Sequence, residues 1–190
     1  YKVARIDLSE IDERLKNIEI TTMCDIDNPF YGPEGAAAIY GPQKGADPEM
    51  VKDLDAKMRS IATVMKRDCN VDVQSIAGSG AAGGMGGGMV AFFSSRLQMG
   101  IETVLETVGF SSLIDGADFV YTGEGKIDGQ SLRGKVVIGV AREAKKKNVK
   151  VIAFVGDIGD GIEGAYNNGV TAIFSINRVA LPYKEQRPRA

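Results

Sequence analysis

Between residues 117 and 176 the chain alternates between two patterns, and no other feature limits its folding so tightly. Short apolar runs at 119–121, 150–155 and 171–176 read as strands. Stretches at 131–147 and 162–168 carry apolar residues at helical spacing. Each connection is long enough for a right-handed crossover, so the three strands are expected to be parallel. That is a βαβαβ unit, half of a doubly wound (Rossmann- or flavodoxin-like) sheet.

The earlier part of the chain differs in character. Residues 18–23 are apolar and β-branched, as in a strand, and the polar run Cys24 to Asn28 follows, stopped by Pro29. Asp47 is placed as an N-cap with Pro48 at the first helical position, and apolar residues at helical spacing predict a long amphipathic helix over 48–66. Residues 78–88 are mostly glycine. Glycine weakens helices, so this density implies close approach of backbone to backbone or ligand, with a buried helix continuing from Met89. A further helix is expected over 100–108. The reading is of two α/β parts, residues 1–111 and 112–190, with the boundary near Ser111.

Composition removes several function classes. There is no histidine, which excludes Ser-His-Asp and Cys-His nucleophiles and His-based zinc sites within these residues. A net charge of −2, with one short basic run at Lys145, Lys146 and Lys147 in the last turn of a helix, offers no footprint for nucleic acid. No apolar run approaches the roughly 20 residues that span a bilayer. Cys24 and Cys69 form no CxxC pair and read as reduced thiols of a cytoplasmic protein. The start at Tyr1 without Met, and the polar tail at 183–190, suggest a piece of a longer protein.

The densest chemistry lies at 122–130, read as a glycine-broken loop after the first strand of the βαβαβ unit. It presents Glu124, Lys126, Asp128 and Gln130. Two acids and a base between glycines suit phosphate and a metal ion. Two familiar phosphate motifs are only approached. Residues 78–83 satisfy G-x-G-x-x-G, with 71–76 as the preceding strand, but Glu102, the acid at the required distance, falls in a helical pattern. Residues 129–135 resemble a P-loop, yet Val136 replaces the hydroxyl that would hold Mg²⁺.

Taken in order, Cys24-Asp25-Ile26-Asp27-Asn28-Pro29, Gly35-Ala36-Ala37-Ala38-Ile39-Tyr40-Gly41-Pro42-Gln43-Lys44-Gly45, Gly80-Ala81-Ala82-Gly83-Gly84 and Thr122-Gly123-Glu124-Gly125-Lys126-Ile127-Asp128-Gly129-Gln130 resemble the type I glycerate kinase family. Asp118, Gly134-Lys135 and Phe174-Ser175-Ile176 also fall where that family has them. The resemblance implies an ATP- and Mg²⁺-dependent kinase that phosphorylates D-glycerate. Lys126 stands where the family has arginine, which keeps the charge and loses the planar fork. Family members are considerably longer, and their amino-terminal segments and a carboxy-terminal helix have no counterpart here. This stretch alone is therefore expected to be inactive, its partner being the remaining part of the same chain; homodimer formation is left open.

On that resemblance Asp25, Glu124, Lys126 and Asp128 are the catalytic candidates, with Asp25 and Glu124 as candidate Mg²⁺ ligands. Asp27, Asn28, Gln43, Lys44, Gly83, Gly84, Gln130 and Lys135 are the candidates for substrate or nucleotide. Each polar group has a plainer alternative. Asp25, Asp27 and Asn28 can form an Asx turn before Pro29, Glu124 and Asp128 can cap the following helix, and Lys44 can be a solvated loop lysine. Asp157 and Asp160, after the second strand of the unit, read as a turn and a cap, although they end a parallel strand. Two other functions stay open: a non-catalytic binding domain for a nucleotide or small acid, and an NAD-dependent oxidoreductase built on residues 78–83.

Overall fold

The computed structural model describes residues 3–129 and 131–177. The chain divides into two compact units, Tyr1–Gly100 and Ile101–Ala190.

In the first unit, β1 (Thr21–Met23) pairs in parallel with β2 (Arg96–Gln98). Helices α1 (Ala36–Tyr40), α2 (Pro48–Cys69) and α3 (Ala81–Phe93) supply most of its helical residues. The Asp47 carboxylate accepts the Met50 N–H at 2.8 Å, Pro48 opens α2, and left-handed Asn70 closes it. Phe30, Ala62, Met65, Val73 and Ala91 form the core. The glycine-rich stretch packs as its composition requires. A Cβ on Gly80 would stand 2.2 Å from the Pro29 carbonyl oxygen, one on Gly86 2.5 Å from that of Gly78, and one on Gly87 2.7 Å from the Phe30 ring. The expected strand before residues 78–83 is not formed, since Val73–Ser75 is a 3-10 turn. The dinucleotide motif therefore lacks its strand, and the oxidoreductase alternative loses its structural basis.

In the second unit, α4 (Gly100–Thr107) and α5 (Phe110–Leu113) precede a parallel sheet of β3 (Phe119–Ile127), β4 (Lys150–Ile158) and β5 (Val170–Ser175), ordered β3-β4-β5. Helices α6 (Val136–Lys146) and α7 (Glu163–Asn167) make the crossovers. The division at Gly100 lies upstream of the expected boundary near Ser111. Ile101 packs against Gly139 of α6, where a Cβ would come within 2.6 Å of its side chain, so this helix segment goes with the second unit.

Strand alternation decides which side chains reach the core. Val151, Ala153 and Val155 are wholly buried on one face with Val137, Ile138 and Ala141 of α6 and Ala165 of α7. The opposite face carries a ladder of half-exposed rings, Phe119–Tyr121–Phe154–Phe174, with successive centroids 6.4, 6.2 and 5.8 Å apart. Both helices lie on one face, so the described residues contain a single winding of a parallel α/β sheet.

The loop expected over 122–130 is largely strand. β3 continues to Ile127, in register with β4 as far as Ile158. Gly123 and Gly156 serve close approach here, whereas a Cβ on Gly125 would meet open space. A Cβ on Gly123 would stand 2.3 Å from the Phe154 carbonyl oxygen, and the Gly125 carbonyl oxygen lies 2.4 Å from where a Cβ on Gly156 would be. Helix α6 also starts later than expected, after a 3-10 turn at Ser131–Arg133.

Candidate active site

In the second unit the candidate residues gather at the carboxyl end of β3, the end of a parallel sheet where ligands bind. Glu124 is partly buried, opposite Val155 of β4. Its Oε1 is buried without a hydrogen-bond partner among the described residues. A carboxylate oxygen so placed is stabilised only by a cation or donor brought to it. Lys126 is opposite Asp157 in the β3–β4 register, and its ammonium lies 3.9 Å from Asp128 Oδ2. The Lys126 side chain is 54% exposed and that of Asp128 28%, so the base can swing while the acid is held.

Asp128 is held by Ser131. The Ser131 N–H donates to Asp128 Oδ1 at 3.3 Å, and the Asp128 N–H donates to Ser131 Oγ at 3.2 Å. Ser131 is wholly buried, and this reciprocal pair ties Asp128 to the start of the 3-10 turn at Ser131–Arg133, whereas α6, with Lys135 at its N-cap position, has no side-chain cap. Glu124, inside the strand, caps nothing. The loop after β4 is tied to the same place: the Gly159 N–H donates to the Ile127 carbonyl at 2.8 Å and the Gly129 N–H to the Asp160 carbonyl at 2.9 Å. Asp157 accepts from the Ile158 N–H at 3.0 Å, and neither it nor Asp160 caps a helix with its side chain. Lys135 occupies the N-cap position of α6, where unpaired backbone N–H groups and the helix dipole favour an anion. Gln130 lies outside the described residues.

In the first unit, the loop after β1 packs on the glycine-rich stretch. The Gly80 N–H donates to the Asn28 carbonyl at 3.0 Å. Asn28 Nδ2 donates to the Glu34 carbonyl at 2.8 Å, and Asn28 Oδ1 accepts from the Tyr40 hydroxyl at 2.6 Å. Asp25 Oδ1 accepts the Gly100 N–H at 2.8 Å. The bonds of Asn28 to Tyr40 and of Asp25 to Gly100 reach 12 and 75 residues along the chain, beyond the local Asx turn held open for this loop. Asp27 is exposed. Burial, with the nearby Cys24 and Asp27, pushes the Tyr40 phenol above its ordinary value, so it keeps the proton it donates to Asn28.

Ala82, Gly83 and Gly84 are consecutive residues at positive φ at the start of α3. Gly84 is packing, since a Cβ would meet Phe30 at 2.8 Å and Met58 at 3.0 Å. Gly83 faces open space. Gln43 and Lys44 sit exposed on the turn Pro42–Lys44, closed by left-handed Gly45. Tyr40 and Ser131 are the residues the sequence reading passed over, because neither carries a charge and their partners are set by folding.

Among the described residues no three His, Cys, Asp or Glu side chains gather as metal ligands. Asp25 already spends one oxygen on a backbone N–H, whereas Glu124 has a buried oxygen to offer. Mg²⁺ is satisfied by one or two carboxylates with waters and substrate phosphates, so Glu124 fits it better. Among the described residues no helix is long and apolar enough to cross a membrane.

A model of the glycerate kinase family matches residues 1–190. The chain belongs to the glycerate kinase family. It is 44% identical over 175 residues to a glycerate kinase of Halalkalibacterium halodurans, covering 92% of this chain and 46% of that protein. It is 45% identical over 174 residues to a glycerate kinase of Haemophilus influenzae, covering 92% and 46%. It is 43% identical over 171 residues to the glycerate 2-kinase of Escherichia coli, covering 90% and 45%. A solved Salmonella typhimurium LT2 structure bearing the glycerate kinase 2 name superposes with a TM-score of 0.74 at 44% identity, covering 91% of this chain and 44% of that one. The chain thus spans about half the length of the glycerate kinases it matches.

Proposed function

We propose that this chain is the portion of an ATP-dependent kinase that carries phosphoryl-transfer groups, and that the whole enzyme converts D-glycerate to phosphoglycerate in the cytoplasm. The observation that carries the reading is the group Glu124, Lys126 and Asp128 at the carboxyl end of β3, with one Glu124 oxygen buried and without a hydrogen-bond partner among the described residues. Family membership supports it.

Phosphoryl transfer needs charge neutralisation, alignment and a base for the attacking hydroxyl. Asp128, fixed by Ser131, is the base. Lys126 supplies positive charge to phosphate or to the substrate carboxylate, and Lys135 adds a cation at the α6 terminus. Glu124 would hold Mg²⁺, which when bound neutralises charge on the nucleotide phosphates. In the first unit we assign Asp25 to orienting its loop as well as to the chemistry. Asp27, Gln43, Lys44 and the open backbone at Gly83 are assigned to substrate or nucleotide. Asn28 and Gly84 support that unit's loops. The 190 residues alone are expected to be inactive.

Phosphorus-31 NMR of the full-length protein with Mg-ATP and D-glycerate tests this. A new phosphomonoester resonance rising with ADP is expected, and its chemical shift identifies the acceptor hydroxyl. Intact ATP, or ADP with inorganic phosphate alone, would reject the reading.

A further inference from the structure

Gly159 lies one residue beyond β4, where the chain leaves the sheet. Its N–H extends the ladder to the Ile127 carbonyl. Its φ lies outside the left-handed region, so the backbone does not demand glycine there. Space does. A Cβ at this position would stand 3.0 Å from Asp128 Cβ, 3.0 Å from Lys126 Cε and 3.5 Å from Lys126 Nζ. The first two distances are about half an ångström inside ordinary carbon contact.

We propose that Gly159 is a positioning residue for Lys126 and Asp128, its bare Cα being the floor on which the two side chains lie together. The floor cannot drop away, because the Gly159 and Gly129 N–H groups tie the two strand-end segments at 2.8 and 2.9 Å. Asp128 cannot yield readily either, since its backbone and carboxylate are both bonded to wholly buried Ser131. Lys126 is the exposed and flexible partner. A methyl group at 159 therefore displaces the Lys126 ammonium from Asp128, and its remaining overlap with Asp128 Cβ needs a shift of only a few tenths of an ångström, which leaves the fold intact. The catalytic consequence rests on the roles proposed above for Lys126 and Asp128, whereas the geometric one does not.

The test is Gly159→Ala in the full-length protein, alone and combined with Lys126→Ala. Alone, it is expected to lower kcat about tenfold, as misplacing a reacting group does. The melting temperature should hold within about 2 °C. With Lys126→Ala present, the same change should lower kcat less than about twofold further, because the displaced group is gone. Unaltered turnover, equal losses in both backgrounds, or a collapse of the melting temperature would overturn the proposal. A crystal structure of Gly159→Ala separates this inference from the kinase reading. Lys126 moved away from Asp128 supports the positioning role even if no glycerate kinase activity is found, and an unmoved Lys126 refutes it even if activity is high.

Discussion

The Asp25 carboxylate accepts the backbone N–H of Gly100 at 2.8 Å, across 75 residues of sequence. Gly100 is the last residue of the first unit, so one oxygen of this acid is engaged in tying the two ends of that unit's chain together. Substitution at Asp25 should therefore separate stability from chemistry. Asp25→Ala is expected to destabilise by about 1 kcal/mol, the net worth of one such bond, while Asp25→Asn keeps the acceptor and the stability. Urea melts check this. Equal stability of both variants would mean that the bond contributes nothing.

Gly83 and Gly84 are both left-handed, yet their surroundings differ. Gly83→Ala meets open space and should lose only the conformational penalty, about 1–2 kcal/mol. Gly84→Ala adds overpacking against Phe30 and Met58, a further 1–3 kcal/mol or so. Thermal denaturation of the two variants is expected to rank Gly84→Ala clearly lower.

Asp68 is expected to contribute to the loss of stability in acid. Its carboxylate accepts from Arg67 and from the Ile6 N–H at 2.8 Å, and these bonds hold its pKa at about 2 against an ordinary 3.8. The folded value lies below the unfolded one, so the stabilisation is fully present above 3.8 and is lost as pH falls towards 2. Asp68→Asn should flatten the pH dependence of stability in that window. An unchanged slope in denaturation curves would contradict the assignment.

The ring ladder is half exposed, and its energetics should show it. Phe154 is 46% exposed and stacks on both Tyr121 and Phe174. Phe154→Ala is expected to cost about 1–2 kcal/mol from two ring contacts, well short of the roughly 3–5 kcal/mol of a buried phenylalanine. Equilibrium unfolding distinguishes the two values.

Much of this fold was legible before any coordinates, and the gaps have physical causes. Asp47-Pro48 announces α2, and the run Val151 to Val155 announces β4, because capping and apolar patterning are local. The end of β3 was misread. Gly123 and Gly125 look like loop residues, yet Gly123 lies against the Phe154 carbonyl and Gly156 makes room for the carbonyl of Gly125. β2 escaped because Arg96–Gln98 is three residues long and carries little apolar signal. The acids and lysines of the candidate site were visible as chemistry. What holds them was not, since Gly100 under Asp25, Tyr40 on Asn28 and Gly159 beneath Lys126 are relations that only the fold creates.

Asp128 bears the greatest weight in the proposed chemistry, and Asn at this position keeps the oxygen that caps Ser131. The decisive measurement is glycerate-dependent ADP release from Mg-ATP by the full-length protein and by its Asp128→Asn variant, with their melting temperatures. Activity in the wild type that falls about 10²-fold or more in an equally stable variant is the expected result, matching the removal of a general base. A wild type that releases no ADP with glycerate, or a variant that turns over normally, would contradict it.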